Sequence, residues 1–307
     1  MAPFMSNDTG TQLTNRKRQP LLTAFLICAA FALNGVFHGP VQAASGKVDG
    51  IYYESRGKGD TLVLIHGGQM DGRMWNGQFQ LWSRSYRVIR CDIRGFGRSD
   101  PPARPYSYRE DLFQLFQRLR VSHATIIGLS LGGAIATDFT LTHPEAVDGL
   151  VLVCPGLGGF RFSDPANNLR PIVDAAREDN PDRVADLWLA NPYMSVAMEN
   201  PALRESLRRI SRDNARAWLN NPLLLRPMQP PAAERLGEIR TPCLIIGGER
   251  DVSDVQAIVN KLGSEIPGAR KHIIPGAGHI VPMEKPEEFN RLVMEFLAEG
   301  ARKRNQR

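Results

Sequence analysis

The sequence of 307 residues contains few cysteines, which limits the kinds of site that it can build. Of the four, Cys28 lies in a stretch that we predict below to be removed. Cys91, Cys154 and Cys243 each fall within an apolar run typical of a strand, and none has the spacing of metal ligands. Three cysteines cannot all pair with one another, so no disulfide framework is expected. We predict buried free thiols.

Long apolar runs and a strong charge bias are also missing. Only one apolar run, near the N-terminus, approaches the ~20 residues that cross a bilayer, which excludes a protein with several membrane spans. Apolar residues make up 42% and charged residues 23% of the chain, so it is neither disordered nor collagen-like. The net charge of +6 comes largely from basic residues at 16–18 and 302–307. Nucleic-acid binding is therefore not expected.

The N-terminal apolar run has the order of features found in an export signal. Residues 16–18 are basic, residues 21–33 are apolar, and Val41-Gln42-Ala43 offers small residues to a signal peptidase. No Arg-Arg pair precedes the apolar run, which favours the general export route. We therefore predict a cleaved signal peptide over residues 1–43 and a periplasmic or secreted protein. An uncleaved membrane anchor and a helix buried in the folded domain are the alternatives.

Short apolar runs recur along the rest of the chain and alternate with helical patterns. Most are continuously apolar, as in strands that are covered on both faces of a parallel sheet. The intervals between them leave room for helical crossovers. The pattern predicts the α/β class, with a mostly parallel sheet flanked by helices, and residues 50–54 could add an antiparallel edge strand. The predicted parallel strands are 61–65, 88–93, 124–127, 150–154, 243–246 and 272–274.

One interval is too long for a simple crossover. Between Cys154 and Cys243 lie 88 residues with helical patterning and many prolines and asparagines. We predict an inserted helical cap at 157–232 and a core made of 44–156 and 233–307. The cap is nearly neutral, so the sequence gives no indication of a charged substrate. Its large side chains either line a pocket or merely pack the cap helices together: Trp188, Tyr193, Met194, Met198 and Trp218.

A candidate nucleophile lies in Gly128-Leu129-Ser130-Leu131-Gly132, which matches the pattern G-x-S-x-G. The pattern follows a predicted strand and opens a helical run, which is the strand–turn–helix context that this motif requires. Such a turn exposes the Ser130 hydroxyl above the sheet, and the helix N-terminus favours negative charge beside it. The alternative is a glycine-rich turn without chemistry.

A serine hydroxyl needs a nearby base, and the base needs an acid to orient it. His279 lies on a glycine-flanked loop after the last predicted strand and is the candidate base. Asp251 follows the preceding strand and is the candidate acid, with Glu249 and Asp254 as alternatives. The chain order Ser130, Asp251, His279 is the order in which a nucleophile on such a strand–turn–helix is followed by its acid and its base.

The tetrahedral intermediate of acyl transfer needs hydrogen-bond donors for its oxyanion, and each donor is worth about 2.7–4 kcal/mol. One is predicted to be the backbone N–H of Leu131, directly after the nucleophile. The second is predicted to be the N–H of Gly68, in the loop after an earlier strand, with Gln69 as the alternative. His66 precedes this loop and is expected to shape it rather than to transfer protons.

These motifs together resemble the α/β-hydrolase superfamily, in the capped branch of small-molecule esterases, enol-lactonases and carbon–carbon bond hydrolases. The resemblance covers nearly everything after the leader and implies the α/β-hydrolase fold. The segment from Asp92 to Ser99 resembles a largely structural signature, so Arg94 is left out of the catalytic set. A serine nucleophile argues against haloalkane dehalogenases and epoxide hydrolases, which use aspartate. The matching pieces are His66–Gly68, Asp92–Ser99, Gly128–Gly133, Gly248–Asp251 and Gly278-His279.

The resemblance implies a serine hydrolase that cleaves a carboxylic ester or related carbonyl compound through an acyl-enzyme. No cofactor and no metal are expected. The expected partner is a small-molecule substrate, with no nucleic acid and no stable membrane association once the leader is removed. Cleavage of an enol-lactone or a carbon–carbon bond by the same serine is the alternative, with cofactor-free peroxidase activity a weaker one. A ligand-binding or sensor module with little turnover is the alternative of another class.

Overall fold

The computed structural model describes residues 43–306. The predicted leader therefore lies outside the described residues, apart from Ala43, which is the first residue of strand β1. Its cleavage and the export of the protein stay predictions. None of the helices within 43–306 has both the length and the apolar character needed to cross a membrane.

The described part of the chain forms one eight-stranded sheet with the strand order β1-β2-β4-β3-β5-β6-β7-β8. β1 pairs with β2, and β2 with β4, in antiparallel fashion, whereas all pairs from β4 to β8 are parallel. The predicted α/β class with a mostly parallel sheet is confirmed. The strands are β1 Ala43–Val48, β2 Ile51–Arg56, β3 Thr61–Ile65, β4 Arg87–Cys91, β5 Ala124–Leu129, β6 Val147–Val153, β7 Cys243–Gly248 and β8 Arg270–Ile274.

The central strands supply most of the core. Every residue of β5 and of β7 is buried, because both lie inside a sheet that helices cover on its two faces. The helices are α1 Asn76–Trp82, α2 Tyr108–Arg118, α3 Leu131–Thr142, α4 Arg170–Arg177, α5 Pro181–Leu189, α6 Pro201–Asp213, α7 Ser253–Glu265, α8 Val281–Glu284 and α9 Pro286–Asn305.

The expectation of an edge strand at residues 50–54 was half right. A strand forms there as β2, and it is antiparallel, but β1 pairs with its outer side and takes the edge. β1 was not predicted because its sequence, AASGKV, has neither a continuous apolar run nor a clean alternation. It forms by pairing with β2 through six consecutive residues.

The long interval between β6 and β7 contains α4, α5 and α6 together with several short 3-10 turns. Its asparagines and prolines start these elements. The Asn180 side chain accepts the N–H of Arg183 before α5, and Asn200 accepts the N–H of Ala202 before α6. A proline follows each of these asparagines at the first helical position, where its missing N–H costs nothing. The division of the chain at 157 and 232 stays a prediction.

Candidate active site

Ser130 lies at a strained turn between β5 and α3. Its backbone has φ 53° and ψ −115°, a conformation that residues other than glycine rarely adopt. The turn is tight because a Cβ atom on Gly128 would lie 2.3 Å from the carbonyl oxygen of Gly132. A Cβ atom on Gly132 would in turn lie 2.3 Å from the carbonyl oxygen of Ile65. The two glycines of the motif therefore allow the close approach of backbone segments that the turn needs.

Ser130 lines a cavity of about 400 Å³ whose walls are mostly apolar. His279, Gly68 and Leu131 line the same cavity, so the structure brings the sequence-predicted nucleophile, base and oxyanion donors to one place. No hydrogen bond joins the Ser130 hydroxyl to another residue within 43–306. Such contacts in ligand-free hydrolases are often long and tighten when substrate binds.

His279 is held by Asp251 through a buried contact. The imidazole Nδ1 lies 2.9 Å from Oδ2 and 3.1 Å from Oδ1 of Asp251. Only 5% of the His279 side chain and 1% of the Asp251 side chain are exposed, so water does not compete for this bond. The N–H of Val252 donates to Asp251 Oδ1 at 2.8 Å and fixes the carboxylate plane. Because Nδ1 faces the carboxylate as a donor, Nε2 is left as the acceptor.

The two alternative acids bind elsewhere. Glu249 accepts the N–H of Gly276 at 2.8 Å. Asp254 accepts the backbone N–H groups of Ser163 and Asp164, both at 2.7 Å, and so ties the start of the segment between β6 and β7 to α7. Of the three carboxylates that the sequence offered, Asp251 is therefore the one that contacts His279.

Two backbone N–H groups point to an oxyanion site. Within the described chain, neither the N–H of Gly68 nor that of Leu131 donates to a protein acceptor, and both residues line the cavity. The Leu131 N–H is free because it belongs to the first turn of α3.

His66 supports the loop before Gly68. Its Nε2 accepts the N–H of Ile93 at 2.8 Å, so Nδ1 carries the proton and donates to the carbonyl oxygen of Gly67 at 2.7 Å.

Residues 62–292 match the Alpha/beta hydrolase family. The chain belongs to this family. It is 30% identical over 279 residues to a 2-hydroxy-6-oxononadienedioate/2-hydroxy-6-oxononatrienedioate hydrolase of Paraburkholderia xenovorans (strain LB400), covering 84% of this chain and 93% of that relative.

Two similar solved structures extend the comparison. Est816, described as an N-acyl homoserine lactone degrading enzyme, is 28% identical with a TM-score of 0.65, covering 82% of this chain and all of that one. A thermophilic esterase from Thermogutta terrifontis is 25% identical with a TM-score of 0.67, covering 84% of this chain and 99% of that one. The fold and the hydrolase class are thus shared, while the substrates differ among these proteins.

The segment from Asp92 to Ser99 of this hydrolase is held by hydrogen bonds and lies away from the cavity lining. Asp92 accepts the N–H groups of Gly72 and Arg98, both at 2.8 Å. Arg94 donates to both carboxylate oxygens of Asp111, at 2.8 Å and 2.6 Å. These contacts fit the structural role that the sequence suggested for the segment.

Glu284 in α8 was missed by sequence reasoning, although it holds the loop that carries His279. One carboxylate oxygen accepts the N–H of Gly278 at 2.5 Å, and the other accepts the N–H of Ile280 at 3.1 Å. The residues on both sides of His279 are therefore fixed by one side chain. Burial raises the pKa of Glu284, partly offset by these two hydrogen bonds. Nothing in the sequence distinguishes Glu284 from a surface carboxylate, so no sequence signal could have identified it.

We expect Glu284→Gln to lower kcat/KM for p-nitrophenyl acetate by about 10-fold to 100-fold. The amide has one acceptor instead of two, so one buried N–H beside His279 loses its partner, which costs about 1–3 kcal/mol. Steady-state kinetics of the purified variant measure the effect. Glu287→Gln, an exposed site on α9, is the matched control and should match the wild type. Wild-type kinetics in a folded Glu284→Gln protein would contradict the positioning role.

The segment between β6 and β7 reaches the candidate triad through Tyr193. The Tyr193 ring lies edge-on to the His279 ring, with 4.7 Å between the ring centroids. Its hydroxyl donates to Asn167 Oδ1 at 2.9 Å, and Asn167 Nδ2 donates to Asp254 at 2.9 Å. Of the five large side chains that the sequence offered as pocket residues, Trp188, Tyr193 and Trp218 line the cavity, whereas Met194 and Met198 pack elsewhere.

The three cysteines of the described chain are free and buried, as predicted. Cys154 lies beside the candidate triad, and its Sγ approaches the carbonyl oxygen of Gly278 at 3.6 Å. Potential ligand atoms of Cys154, Asp251 and His279 all lie within 4.8 Å of one another, an arrangement that resembles a metal site. Burial raises the pKa of the Cys154 thiol well above its usual value, which keeps it protonated and disfavours metal binding. The Asp251–His279 hydrogen bond already accounts for the other two groups.

Proposed function

We propose that this chain is a serine hydrolase that cleaves a carboxylic ester or a related carbonyl substrate through an acyl-enzyme. One observation carries the proposal. Ser130, on its strained turn, shares an apolar cavity with His279, which Asp251 orients, and with two backbone N–H groups that have no protein acceptor. These are the parts that acyl transfer to a serine requires, in the roles that the reaction gives them.

In the first half of the reaction, Ser130 Oγ attacks the substrate carbonyl carbon while His279 Nε2 takes the hydroxyl proton. Asp251 holds the imidazole and stabilises its positive charge. The carbonyl oxygen becomes an oxyanion that accepts hydrogen bonds from the N–H groups of Gly68 and Leu131. The tetrahedral intermediate then collapses, the bond to the leaving group breaks, and His279 gives its proton to the departing oxygen.

In the second half, His279 Nε2 takes a proton from water as the water oxygen attacks the acyl carbon. The same two N–H groups stabilise the second oxyanion. The acid product leaves when the Ser130 Oγ–acyl bond breaks and the proton returns from His279 to Ser130. Each proton transfer passes through His279, and no group beyond substrate and water is needed.

The cavity favours a substrate that is apolar along most of its length, because most of the cavity walls are apolar. Cleavage of a lactone or of a carbon–carbon bond by the same serine is the second candidate. It is favoured by the similarity to the lactone-degrading Est816 and to the Paraburkholderia hydrolase. A binding module with little turnover is less favoured, because the strained backbone at Ser130 would then serve no catalytic purpose.

Labelling with a fluorophosphonate probe tests the proposal. We expect mass spectrometry of the purified protein to find the adduct on Ser130, and the His279→Ala variant to remain unlabelled. Hydrolysis rates are then compared for p-nitrophenyl esters, lactones and vinylogous diketones. The preferred substrate class distinguishes ester hydrolysis from lactone hydrolysis and from cleavage of a carbon–carbon bond. A folded wild-type protein without any adduct would contradict the hydrolase mechanism and favour the binding module.

A further inference from the structure

One face of α3 forms a wall of the cavity. This wall begins next to the nucleophile Ser130. The residues that line the cavity from this helix are Leu131, Ala134, Ile135 and Asp138. Their spacing of three, four and seven residues places them on one helix face. The first three are apolar and the last carries a carboxyl group. At 1.5 Å per residue, the eight residues from Ser130 to Asp138 span roughly 12 Å. The cavity therefore runs from the nucleophile along α3 to a single carboxyl group.

The carboxyl group of Asp138 lacks a hydrogen-bond partner among the described residues. Its Oδ1 atom is buried and accepts no hydrogen bond from any described residue. A buried carboxylate oxygen without a partner is costly, and native structures contain few of them. Among the described residues, six buried side-chain polar atoms lack a partner, and three of them belong to residues that line this cavity: Gln69, Asp138 and Trp218. No described residue forms a hydrogen bond or an ion pair with the Asp138 carboxyl group, so the group is available to a donor in the cavity.

Two cations face Asp138, but neither forms a hydrogen bond with it. Arg109 of α2 and Arg235, which lies before β7, both act on the carboxyl group through space. Arg235 is engaged by Glu238 at 2.7 Å, and Arg109 points to the carbonyl oxygen of Arg226. Burial outweighs both and raises the pKa of Asp138 to about 6. The group is therefore mostly ionised at neutral pH and mostly protonated below pH 6.

We propose that Asp138 is a specificity-determining residue that accepts a hydrogen bond from a donor group on the substrate, roughly 12 Å along α3 from the nucleophile. The substrate class is then an ester or lactone with an apolar middle and a distal hydroxyl or ammonium group. The apolar middle packs on Ala134 and Ile135, and the distal donor reaches the Asp138 carboxyl group. This assignment rests on the proposed function, because it takes Ser130 as the point of attack.

Paired substrates that differ only at the far end test the assignment. One pair is p-nitrophenyl ω-hydroxyoctanoate and p-nitrophenyl nonanoate, which places the tail in the acyl part. The other is ω-hydroxyoctyl acetate and nonyl acetate, which places it in the alcohol part. We expect the wild type to prefer the hydroxyl member of one pair by about 10-fold to 100-fold in kcat/KM, since an apolar tail leaves Asp138 unpaired. No preference in either pair would overturn the assignment.

Variants separate hydrogen bonding from charge. Asp138→Leu should lose the preference for the hydroxyl tail while still hydrolysing the methyl-ended substrates. Asp138→Asn keeps an acceptor and should keep the hydroxyl preference, but it should lose any preference for an ω-ammonium tail. Glu145→Gln removes an exposed carboxylate just after α3 and serves as the charge control. An unchanged preference in Asp138→Leu would overturn the assignment.

The pH dependence gives a readout that a merely structural residue would not change. The ratio of kcat/KM for the ammonium-ended over the methyl-ended substrate cancels the titration of the triad, because both substrates use it. In the wild type this ratio should rise as pH increases through about 6, where Asp138 becomes a carboxylate. In Asp138→Asn it should be flat, and a flat ratio in the wild type would count against the assignment.

Failure of this assignment can be told apart from failure of the proposed function. If the fluorophosphonate labels Ser130 and the substrates are hydrolysed without preference for the donor tail, the role of Asp138 is wrong and the hydrolase mechanism stands. If Ser130 of the folded protein is not labelled and no substrate is hydrolysed, both are wrong.

Discussion

Ser130→Ala is expected to lower kcat/KM for p-nitrophenyl acetate by about 10⁴-fold or more. The change removes the atom that forms the acyl-enzyme, so the remaining rate comes only from water and the oxyanion donors. The fold should be retained, since the hydroxyl makes no hydrogen bond within the described chain and the backbone turn depends on Gly128 and Gly132. Thermal unfolding of the variant checks that the loss is chemical.

The exposed Ser264 on α7 provides the matched control. Ser264→Ala makes the same chemical change outside the cavity and should leave both kinetics and labelling at the wild-type level. Activity of Ser130→Ala within about 10-fold of the wild type, in a folded protein, would be incompatible with an acyl-enzyme on Ser130. The same result would direct the search to another nucleophile in the cavity.

The position of Ser130 could be predicted because its signal is local. A buried strand, a glycine-flanked serine and a helix follow one another within a few residues. These local features determine the turn at Ser130 without contributions from distant parts of the sequence. His279 and Asp251 were identified in a different way, from their places after the last two predicted strands. Parallel strands present their carboxyl ends at one edge of the sheet, so residues far apart in sequence meet there.

Glu284 and Asp138 were missed because their roles depend on burial. Sequence patterns show that a residue is charged, but not whether the tertiary fold covers it. Glu284 follows the base by five residues and resembles the other acidic residues in this helical part of the sequence, such as Glu287 and Glu288. Asp138 lies on the cavity face of α3 only because the helix packs with that face under the segment between β6 and β7. The roles of both residues follow from hydrogen bonds and distances that exist only in the folded chain.

Strand β1 shows the same limit for the fold. Its residues Ala43–Val48 are mostly exposed, and their composition does not favour a strand. The strand exists because the turn at Asp49-Gly50, both with positive φ, brings it back along β2. Pairing with β2 across this two-residue hairpin turn overrides the weak strand propensity of the sequence, so β1 and not β2 forms the edge of the sheet.

Asp251→Asn is expected to lower kcat by about 10⁴-fold while leaving the fold intact. The structure indicates which way the new amide faces. The Val252 N–H donates to Oδ1 at 2.8 Å, so the amide oxygen takes the Oδ1 position and the NH₂ group takes the Oδ2 position. That NH₂ group then lies about 2.9 Å from His279 Nδ1. Two donors cannot share this shorter contact, so the tautomer with its proton on Nε2 becomes favoured over the one in which Nδ1 donates to the amide oxygen at 3.1 Å.

The tautomer switch is what removes catalysis. A protonated Nε2 cannot accept the Ser130 proton, and an amide cannot stabilise the imidazolium that would form. Steady-state kinetics and fluorophosphonate labelling should therefore both fall, although Ser130 itself is unchanged. Glu249→Gln makes the same type of change in one of the two alternative acids and should retain nearly full activity. If Glu249→Gln lost activity and Asp251→Asn kept it, Glu249 rather than Asp251 would be the orienting acid, and the loop at Gly276 would have to rearrange on substrate binding.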